Sequence, residues 1–415
     1  MGDRGTAIDE RARTAGAARR ARAAPRRAPA LPRLLAALFL AALAAAAAEV
    51  ALRELWPPAR SAFVWPPGLE TVHEADPALL PGVSGAARLS IGSHGLRAGE
   101  LDARDALRIA AVGGSTTECL FLDDEETWCA LLARGLERRL HVGRVWVGNA
   151  GRSGHTTREH RVQVEHVLDS VPGLDAVILL AGINDLGRRL AHDEGFEPLT
   201  LVDDARQREL RRAAFVLLPL GEDPDGPLAD RFALVRALKV AKNRALAGRG
   251  REDNFDIGLY RFWRDNRAAA TARRERLPDL GGALAEFRAN VAHAAQLARA
   301  RGVALVLATQ PSLYRPDLAP ELEARLWMGG VGPYQQRRGA EYYSTAALAE
   351  GLAAYAREVR ETCAREGVAC VDLEAELAGN PSFFYDDVHF TEEGARAVAR
   401  ALEGPLAELA RARAR

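Results

Sequence analysis

A serine follows two glycines and precedes two threonines in the segment Gly113-Gly114-Ser115-Thr116-Thr117. Glycines let a serine occupy a tight turn with its hydroxyl exposed, and the backbone N–H groups of such a turn can hold an anion. A phosphate-binding loop is the rival interpretation, but the lysine of GxxxxGK[ST] does not follow. The GxSxG elbow is also absent, because Thr117 stands where its second glycine should be. Ser115 is therefore a candidate nucleophile that needs a base.

A candidate base lies far along the chain, in the segment YDDVH at 385–389. An acid three residues before a histidine can bond one imidazole nitrogen and fix the tautomer of the ring. The spacing favours Asp386 as that acid, and Asp387 is the second candidate. Ser115, His389 and Asp386 thus form a candidate set of nucleophile, base and orienting acid.

Two further loops offer hydrogen-bond donors for a negatively charged oxygen. Gly151, in the segment NAG at 149–151, can offer its backbone N–H, and Asn184, in GIND at 182–185, can offer its side-chain amide. Together with the backbone N–H of Ser115 they would form an oxyanion hole. The alternatives are a plain glycine turn and a turn asparagine.

Short apolar runs precede these loops and predict buried strands at 107–112, 145–147, 176–180, 303–308 and 368–371. Apolar residues at helical spacing predict helices at 128–140, 156–168, 283–299 and 346–366, and a last helix capped by Thr391. Five strands separated by helices predict an α/β fold with a parallel sheet covered on both faces. Ligands of such folds bind beyond the carboxyl ends of the strands, so the candidate residues should meet on one rim.

An apolar run from Leu34 to Ala48, extended by Val50–Leu52, follows a segment whose charge is mostly arginine. The arginines are Arg11, Arg13, Arg19, Arg20, Arg22, Arg26, Arg27 and Arg33. This asymmetry predicts a single-pass signal anchor with a cytoplasmic N-terminus and a periplasmic or extracellular catalytic domain. A cleaved signal peptide and a buried soluble helix are the alternatives.

The domain organisation follows from these patterns. Lys+Arg and Asp+Glu both number 56, so no overall charge asymmetry indicates a nucleic-acid partner. The stretch at 190–279 breaks the strand–helix rhythm and predicts a helical insertion, either a lid over the site or a structural extension. The predicted segments are a disordered basic tail (1–33), a transmembrane anchor (34–55), a Pro-rich spacer and N-terminal extension (56–100) and a catalytic domain (101–410).

Four cysteines, Cys119, Cys129, Cys363 and Cys370, permit two disulfides in an exported domain. The pairing of Cys119 with Cys129 and of Cys363 with Cys370 has the shortest spans. Four buried free thiols remain an equal alternative.

One cluster of metal-ligand residue types occurs, formed by His155, Glu159, His160 and His166. Its HxxxEH spacing matches neither HExxH nor HxxEH, so a zinc-protease site is not expected. The spacing does not predict a metal site, and these residues are expected on an ordinary helix surface.

The candidate residues resemble the blocks of the SGNH, or GDSL-like, hydrolase superfamily, over about 107–187 and 303–402. The matching residues are, in block order, Ser115 in GGSTT, Gly151 in NAG, Asn184 in GIND, and Asp386 with His389 in DDVH. Two features depart from the family pattern. Gly114 replaces the aspartate of the family name, and the insertion at 190–279 matches no block.

The resemblance implies a three-layer α/β/α sandwich of the SGNH/flavodoxin-like type and ester chemistry without metal or cofactor. Exported and tethered, such a protein is expected to be a serine esterase that removes acyl groups, such as acetyl, from an envelope carbohydrate or lipid. An O-acyltransferase using the same three residues and a non-catalytic envelope binding or assembly protein are the alternatives.

Overall fold

The computed structural model describes residues 30–55, 62–199, 202–217, 232–235, 237–238, 241–242 and 257–413. They belong to two compact units, one up to Pro57 and one from Pro58 onward. Most of the predicted basic tail lies outside the described residues.

The first unit contains one helix, α1 (Ala30–Leu55), which begins four residues before the predicted anchor. Within it, Pro32–Glu54 is long and apolar enough to cross a membrane. A signal sequence satisfies the same criteria of length and composition. Either interpretation requires a continuous apolar helix, and α1 provides one.

The second unit contains the remaining described elements. Its strands are β1 (Ala62–Phe63), β2 (Glu70–Glu74), β3 (Ala86–Ser90), β4 (Leu107–Gly113), β5 (Val145–Gly151), β6 (Ala176–Leu180), β7 (Val216–Leu217), β8 (Arg273–Arg274), β9 (Ala304–Ala308), β10 (Tyr342–Tyr343) and β11 (Ala369–Val371). Its helices are α2 (Ser115–Glu118), α3 (Trp128–Leu140), α4 (Thr157–Ser170), α5 (Ile183–His192), α6 (Asp204–Ala214), α7 (Gly258–Ala268), α8 (Gly281–Ala300), α9 (Pro320–Glu323), α10 (Thr345–Glu366), α11 (Leu373–Leu377) and α12 (Glu392–Arg413).

The central sheet has five parallel strands in the order β11-β9-β6-β4-β5, which is the doubly wound flavodoxin-like order. Helices α3 and α12 pack together, and α4, α8 and α10 pack in series. The strands are apolar because both faces of the sheet are covered. The predicted α/β/α fold is confirmed, and the five predicted strands are those of this sheet.

The register brings the carboxyl ends of the strands to a single edge. Gly113, which ends β4, pairs with Gly151 of β5 and with Leu180 of β6, and Leu180 pairs with Ala308 of β9. The loops that follow these strands therefore open on the same rim, as the sequence predicts.

The segment 62–100, which makes up most of the predicted Pro-rich spacer and N-terminal extension, belongs to this unit. Val64 and Leu80 have no exposed surface and Leu89 is 2% exposed, and all three belong to the buried side chains of this unit. Strands β2 and β3 form an antiparallel pair, and β1 pairs with β7. The prolines at the start of the segment suggested an extended linker, but the buried apolar side chains hold the chain against the catalytic unit. Residues 56–61 are not described.

One disulfide joins Cys363, in the last turn of α10, to Cys370 of β11. Cys119 and Cys129 are free and buried. Of the two local pairs that the sequence permits, one is a disulfide and the other is a pair of free thiols. Burial raises the pKa of Cys119 to about 12, so this thiol stays protonated.

The insertion at 190–279 is described in part. Its helix α6 packs against α4, and its helix α7 brings aromatic side chains to the rim described below. At least this part of the insertion shapes a pocket, whereas residues 218–231 and 243–256 lie outside the described residues.

Candidate active site

Ser115 is the first residue of α2, directly after β4. Gly114 caps this helix, and a Cβ atom there would lie only 2.5 Å from the Asn184 Nδ2 atom. A side chain at position 114 would therefore displace Asn184. Glycine lets the amide approach the turn that carries the serine.

A continuous chain of hydrogen bonds connects the predicted nucleophile, base and acid. The Ser115 Oγ atom lies 2.7 Å from the His389 Nε2 atom. The His389 Nδ1 atom lies 2.7 Å from Asp386 Oδ2 and 2.9 Å from Asp386 Oδ1. This arrangement can remove a proton from the serine hydroxyl and stabilise the charge that forms on the ring.

Asp386 is held by several donors. Its Oδ1 atom accepts the backbone N–H groups of Val388 (3.0 Å) and His389 (2.9 Å), and its Oδ2 atom accepts the indole N–H of Trp327 (2.9 Å). Burial alone would favour the neutral acid, but the charge and hydrogen bonds of His389 together with the Trp327 bond hold the pKa of Asp386 below its ordinary value. The acid therefore remains an oriented carboxylate.

Asp387, the second candidate acid, is bonded to a different segment. Its oxygens accept the Tyr314 hydroxyl (2.9 Å) and the backbone N–H groups of Trp327 (2.8 Å) and Met328 (3.2 Å). Burial first, and then the charge of Asp386, raise the pKa of Asp387 to about 6. Asp387 thus fixes the segment whose indole bonds to Asp386.

The environment of His389 favours its protonated form. Burial is the largest single influence and opposes protonation, but the charge and hydrogen bond of Asp386, with smaller contributions from Asp387 and Glu118, outweigh it. The pKa of His389 consequently lies above its ordinary value of 6.5. The ring is therefore a stronger base than an isolated imidazole.

Gly151, the predicted oxyanion donor, is bonded elsewhere. Its N–H donates to the Asn149 Oδ1 atom at 2.8 Å, and its carbonyl accepts the indole N–H of Trp65 at 2.9 Å. A Cβ atom at this position would lie 2.2 Å from the Glu118 backbone nitrogen. The close packing of β5 against α2 explains this glycine, and the prediction that its N–H faces the site is wrong.

Gly154, later in the same loop, lines the pocket beside Ser115. Its φ of +77° is a conformation that favours glycine, and space is open on its Cβ side. Within the described part of the chain its N–H has no hydrogen-bond partner. Ser153 fixes the loop, because its N–H and its hydroxyl both donate to a Glu118 oxygen at 2.5 Å. Gly154 is therefore better placed than Gly151 to bind an oxyanion.

Asn184 also lines the pocket, at the start of α5. One N–H of its amide donates to the His155 carbonyl at 2.8 Å. A side-chain amide carries two N–H groups, so one remains for a ligand. With the backbone N–H of Ser115, which as the first in α2 has no partner within that helix, the rim offers several donors around the serine.

Two buried polar side chains fix the helix that carries Ser115. Asn149 donates to the Thr117 carbonyl at 2.6 Å, and the guanidinium of Arg97 donates to the carbonyls of Glu118 (2.8 Å) and Cys119 (3.0 Å). Arg97 thereby holds the end of α2, where Cys119 has a φ of +55°. Neither residue has a local sequence signature, since each acts across the fold.

Glu159, His160 and His166 lie on α4, and His155 lies just before it. The three histidines are buried, so the prediction that they lie on an ordinary helix surface is wrong. Glu159 accepts the N–H and hydroxyl of Thr156 at 2.8 and 2.7 Å, completing a capping box. Burial lowers the pKa of His160 to about 3. Within the described residues, no three His, Cys, Asp or Glu side chains are grouped so as to hold a metal ion.

Residues 111–281 match a family model described as the GDSL-like Lipase/Acylhydrolase family. This part of the chain is a GDSL-like lipase/acylhydrolase domain. The protein is accordingly an ester-hydrolysing enzyme. The matched region includes Ser115 and Asn184 but ends before Asp386 and His389. The roles of Asp386 and His389 are therefore inferred from the geometry described above. The match also runs through the insertion at 190–279.

Three solved structures illustrate the likeness of this GDSL-like hydrolase to known proteins. They are the acetylxylan esterase Axe2 from Geobacillus stearothermophilus (14% identity, 73% of this chain and 94% of that chain, TM-score 0.38), TesA (17%, 73% and 99%, 0.38) and a putative lipolytic protein of the G-D-S-L family from Desulfitobacterium hafniense (11%, 71% and 97%, 0.35). No curated protein matches the chain. Because all three TM-scores are low, we assign the fold from the central sheet of this chain alone.

The pocket of this GDSL-like hydrolase has a volume of about 500 Å³ and opens over Ser115 and His389. One wall is aromatic: the rings of Trp263 and Trp327 lie 4.6 Å apart at 31°, and Tyr385 stacks on the His389 ring at 5.5 Å. Such a wall suits a flat apolar or sugar face. Trp263 comes from the insertion, which therefore contributes to the wall of this pocket.

Proposed function

We propose that the protein is a serine esterase that hydrolyses acyl esters, such as O-acetyl esters, of an envelope carbohydrate or lipid through an acyl-enzyme on Ser115. The observation that carries the proposal is the unbroken series of 2.7 Å contacts from Ser115 Oγ to His389 Nε2 and from His389 Nδ1 to Asp386. A solvated serine and histidine without chemical function would not need an acid fixed by four donors.

In the first half of the proposed reaction, the Ser115 oxygen attacks the ester carbonyl while His389 takes the hydroxyl proton. Asp386 stabilises the imidazolium that forms. The carbonyl oxygen becomes an oxyanion bound by the N–H groups of Ser115 and Gly154 and by the Asn184 amide. The tetrahedral intermediate then expels the alcohol, which receives the proton from His389, and leaves an acyl group on Ser115.

In the second half, a water molecule gives its proton to His389 and attacks the acyl carbonyl. Collapse of this intermediate breaks the bond to Ser115, which recovers its proton from His389, and releases the carboxylic acid. Each oxyanion donor is worth about 3 kcal/mol, or 10²–10³ in rate, because it is aimed at charge that develops only during the reaction.

The proposed location is the outer side of a membrane, with α1 as the anchor. The apolar span at Pro32–Glu54 and the arginines before it support this orientation. The disulfide between Cys363 and Cys370 is consistent with it, since such bonds persist in oxidising compartments. An anchored hydrolase on that side would meet envelope carbohydrates and lipids.

The proposal is tested with the full chain in detergent and a panel of nitrophenyl esters of rising acyl length, run beside acetylated glycans. We expect turnover of short-chain esters and stoichiometric labelling of Ser115 by an organophosphonate. Adding a glycan acceptor measures how the acyl-enzyme partitions; predominant transfer to sugar would make the protein an O-acyltransferase. No turnover and no labelling would leave a binding or assembly protein.

We expect kcat/KM to fall on the acid side with a midpoint above pH 6.5. The base must be neutral to accept a proton, and the pKa of His389 is raised above 6.5, so activity is present above the raised pKa and disappears as the pH falls through it. Rates of a short nitrophenyl ester between pH 5 and 9 measure the midpoint. A flat profile, or a midpoint below 6.5, would contradict a base held beside Asp386.

A further inference from the structure

Arg188 lies one helical turn after Asn184 on α5, and both side chains line the pocket over Ser115. Residues four apart lie on the same face of a helix and are separated by about 6 Å along its axis. The guanidinium is therefore near the proposed oxyanion donor but has a separate position in the pocket. No step of the proposed mechanism uses it.

The Arg188 side chain has no bonded counter-ion within the described part of the chain. Its Nε atom is buried without a hydrogen-bond partner. Burial, followed by the charge of Arg158, lowers the pKa of Arg188, although an arginine remains protonated at neutral pH. A partly desolvated cation without a bonded partner attracts an anion more strongly than a solvated one does.

The acids near Arg188 are already bonded to other groups. Glu286 accepts the Arg158 guanidinium at 2.7 Å, and Glu159 caps α4. Asp185 accepts the hydroxyl of Thr157 at 2.6 Å, and burial raises the pKa of Asp185 to about 7, so this group is only partly charged near neutral pH. The positive charge of Arg188 is therefore not neutralised by a direct ion pair.

We propose that Arg188 forms an anion subsite that binds a carboxylate or phosphate on the alcohol part of the substrate. The inference deepens the proposed esterase function and rests on it. A guanidinium binds either group through two parallel hydrogen bonds, which also orients the ligand. The substrate would be an acylated acidic sugar, with its ring against the aromatic wall of Trp263 and Trp327 and its anion on Arg188.

The test compares three acetylated probes with the full-length protein in detergent: a methyl glucoside, a methyl glucuronide and glucose 6-phosphate. The wild type should show a kcat/KM about 10–100-fold higher for at least one anionic probe than for the glucoside, the size of a hydrogen bond to a charged group. The anionic probe with the higher kcat/KM shows whether the subsite prefers a carboxylate or a phosphate. Arg188→Gln should bring this ratio close to one, mainly through KM, and should retain turnover of the neutral probe.

Two variants serve as controls. Arg188→Lys keeps the charge but loses the planar fork, so it should give an intermediate ratio. Arg338→Gln removes the same charge from an exposed position close in sequence to the pocket residue Gln336 and should keep the wild-type ratio. The subsite would be overturned if the wild type and Arg188→Gln gave the same ratio of kcat/KM for the anionic and neutral probes. It would also be overturned if Arg338→Gln lowered this ratio as much as Arg188→Gln does.

Binding in the Ser115→Ala variant separates the subsite from the esterase proposal. Tryptophan fluorescence can report binding of the unacetylated methyl glucuronide and glucose 6-phosphate, because Trp263 and Trp327 line the pocket. Anion-dependent binding that Arg188→Gln abolishes would support the subsite even if no ester is hydrolysed. Equal affinity for neutral and anionic sugars would overturn it even if esters are hydrolysed.

Discussion

Replacing Ser115 with alanine should reduce kcat by about 10⁶-fold, because loss of the nucleophile in a serine hydrolase removes the acyl-enzyme route as a whole. The remaining rate would come from the oxyanion donors and substrate binding alone. The variant should retain its fold, since the Ser115 side chain contacts the pocket rather than the core. Burst and steady-state kinetics with a nitrophenyl ester measure the effect.

Ser153→Ala provides a control in the same pocket. Its hydroxyl donates only to Glu118, which its backbone N–H also contacts, so losing it should cost less than about 10-fold in kcat. Similar rates for Ser115→Ala and the wild type would show that another group is the nucleophile, whatever the result at position 153.

Asp386→Asn should lower kcat by about 10⁴-fold while the chain stays folded. An asparagine can still accept the N–H groups of Val388 and His389 through its oxygen. Its NH₂ group would then donate to the His389 Nδ1 atom, which places the ring proton on Nε2, where the Ser115 proton must be received. The remaining activity should also lose the raised acid midpoint.

Asp387→Asn is the matched variant, one residue away. We expect a kcat within about 10-fold of the wild type and a free energy of unfolding lower by about 1–3 kcal/mol, because a buried acceptor of three donors is weakened. Kinetics and urea unfolding of both variants measure the contrast. A larger loss of kcat in Asp387→Asn than in Asp386→Asn would reverse the roles given to the two acids.

The sheet and the positions of Ser115, Asp386 and His389 could be predicted because their determinants are local. Apolar runs bounded by glycine mark strands buried on both faces, and the loop after such a strand has a known place in an α/β fold. The DxxH spacing brings an acid and an imidazole together within one short segment. Predicting the five strands therefore required no knowledge of long-range contacts.

The oxyanion loop shows where this reasoning ends. Gly151 and Gly154 lie three residues apart, and residue type alone does not distinguish them. The Asn149 side chain accepts the Gly151 N–H, whereas the Gly154 N–H, at a φ of +77°, has no hydrogen-bond partner among the described residues. Both facts depend on backbone conformation, which a loop acquires from contacts with α2.

Trp327 and Arg188 could not be predicted for a different reason. The segment around Trp327 has no periodic pattern, and its place beside Asp386 is set by bonds to Asp387 across about 60 residues of chain. Arg188 resembles any helical arginine in sequence, and it is distinguished only by having no bonded counter-ion among the residues that the structure describes. The burial of Val64 was likewise hidden by the prolines at 66 and 67, which suggested an extended spacer.

The contact between Ser115 and His389 joins positions 274 residues apart. During synthesis, the strand that precedes the serine is made long before the segment that carries the imidazole and its carboxylate. The hydroxyl therefore has no proton acceptor until that late segment has docked against the finished sheet. A chain still emerging from the ribosome, or threading through a translocon, would be inert toward the esters around it, and enzymatic activity would appear only when the entire architecture has closed.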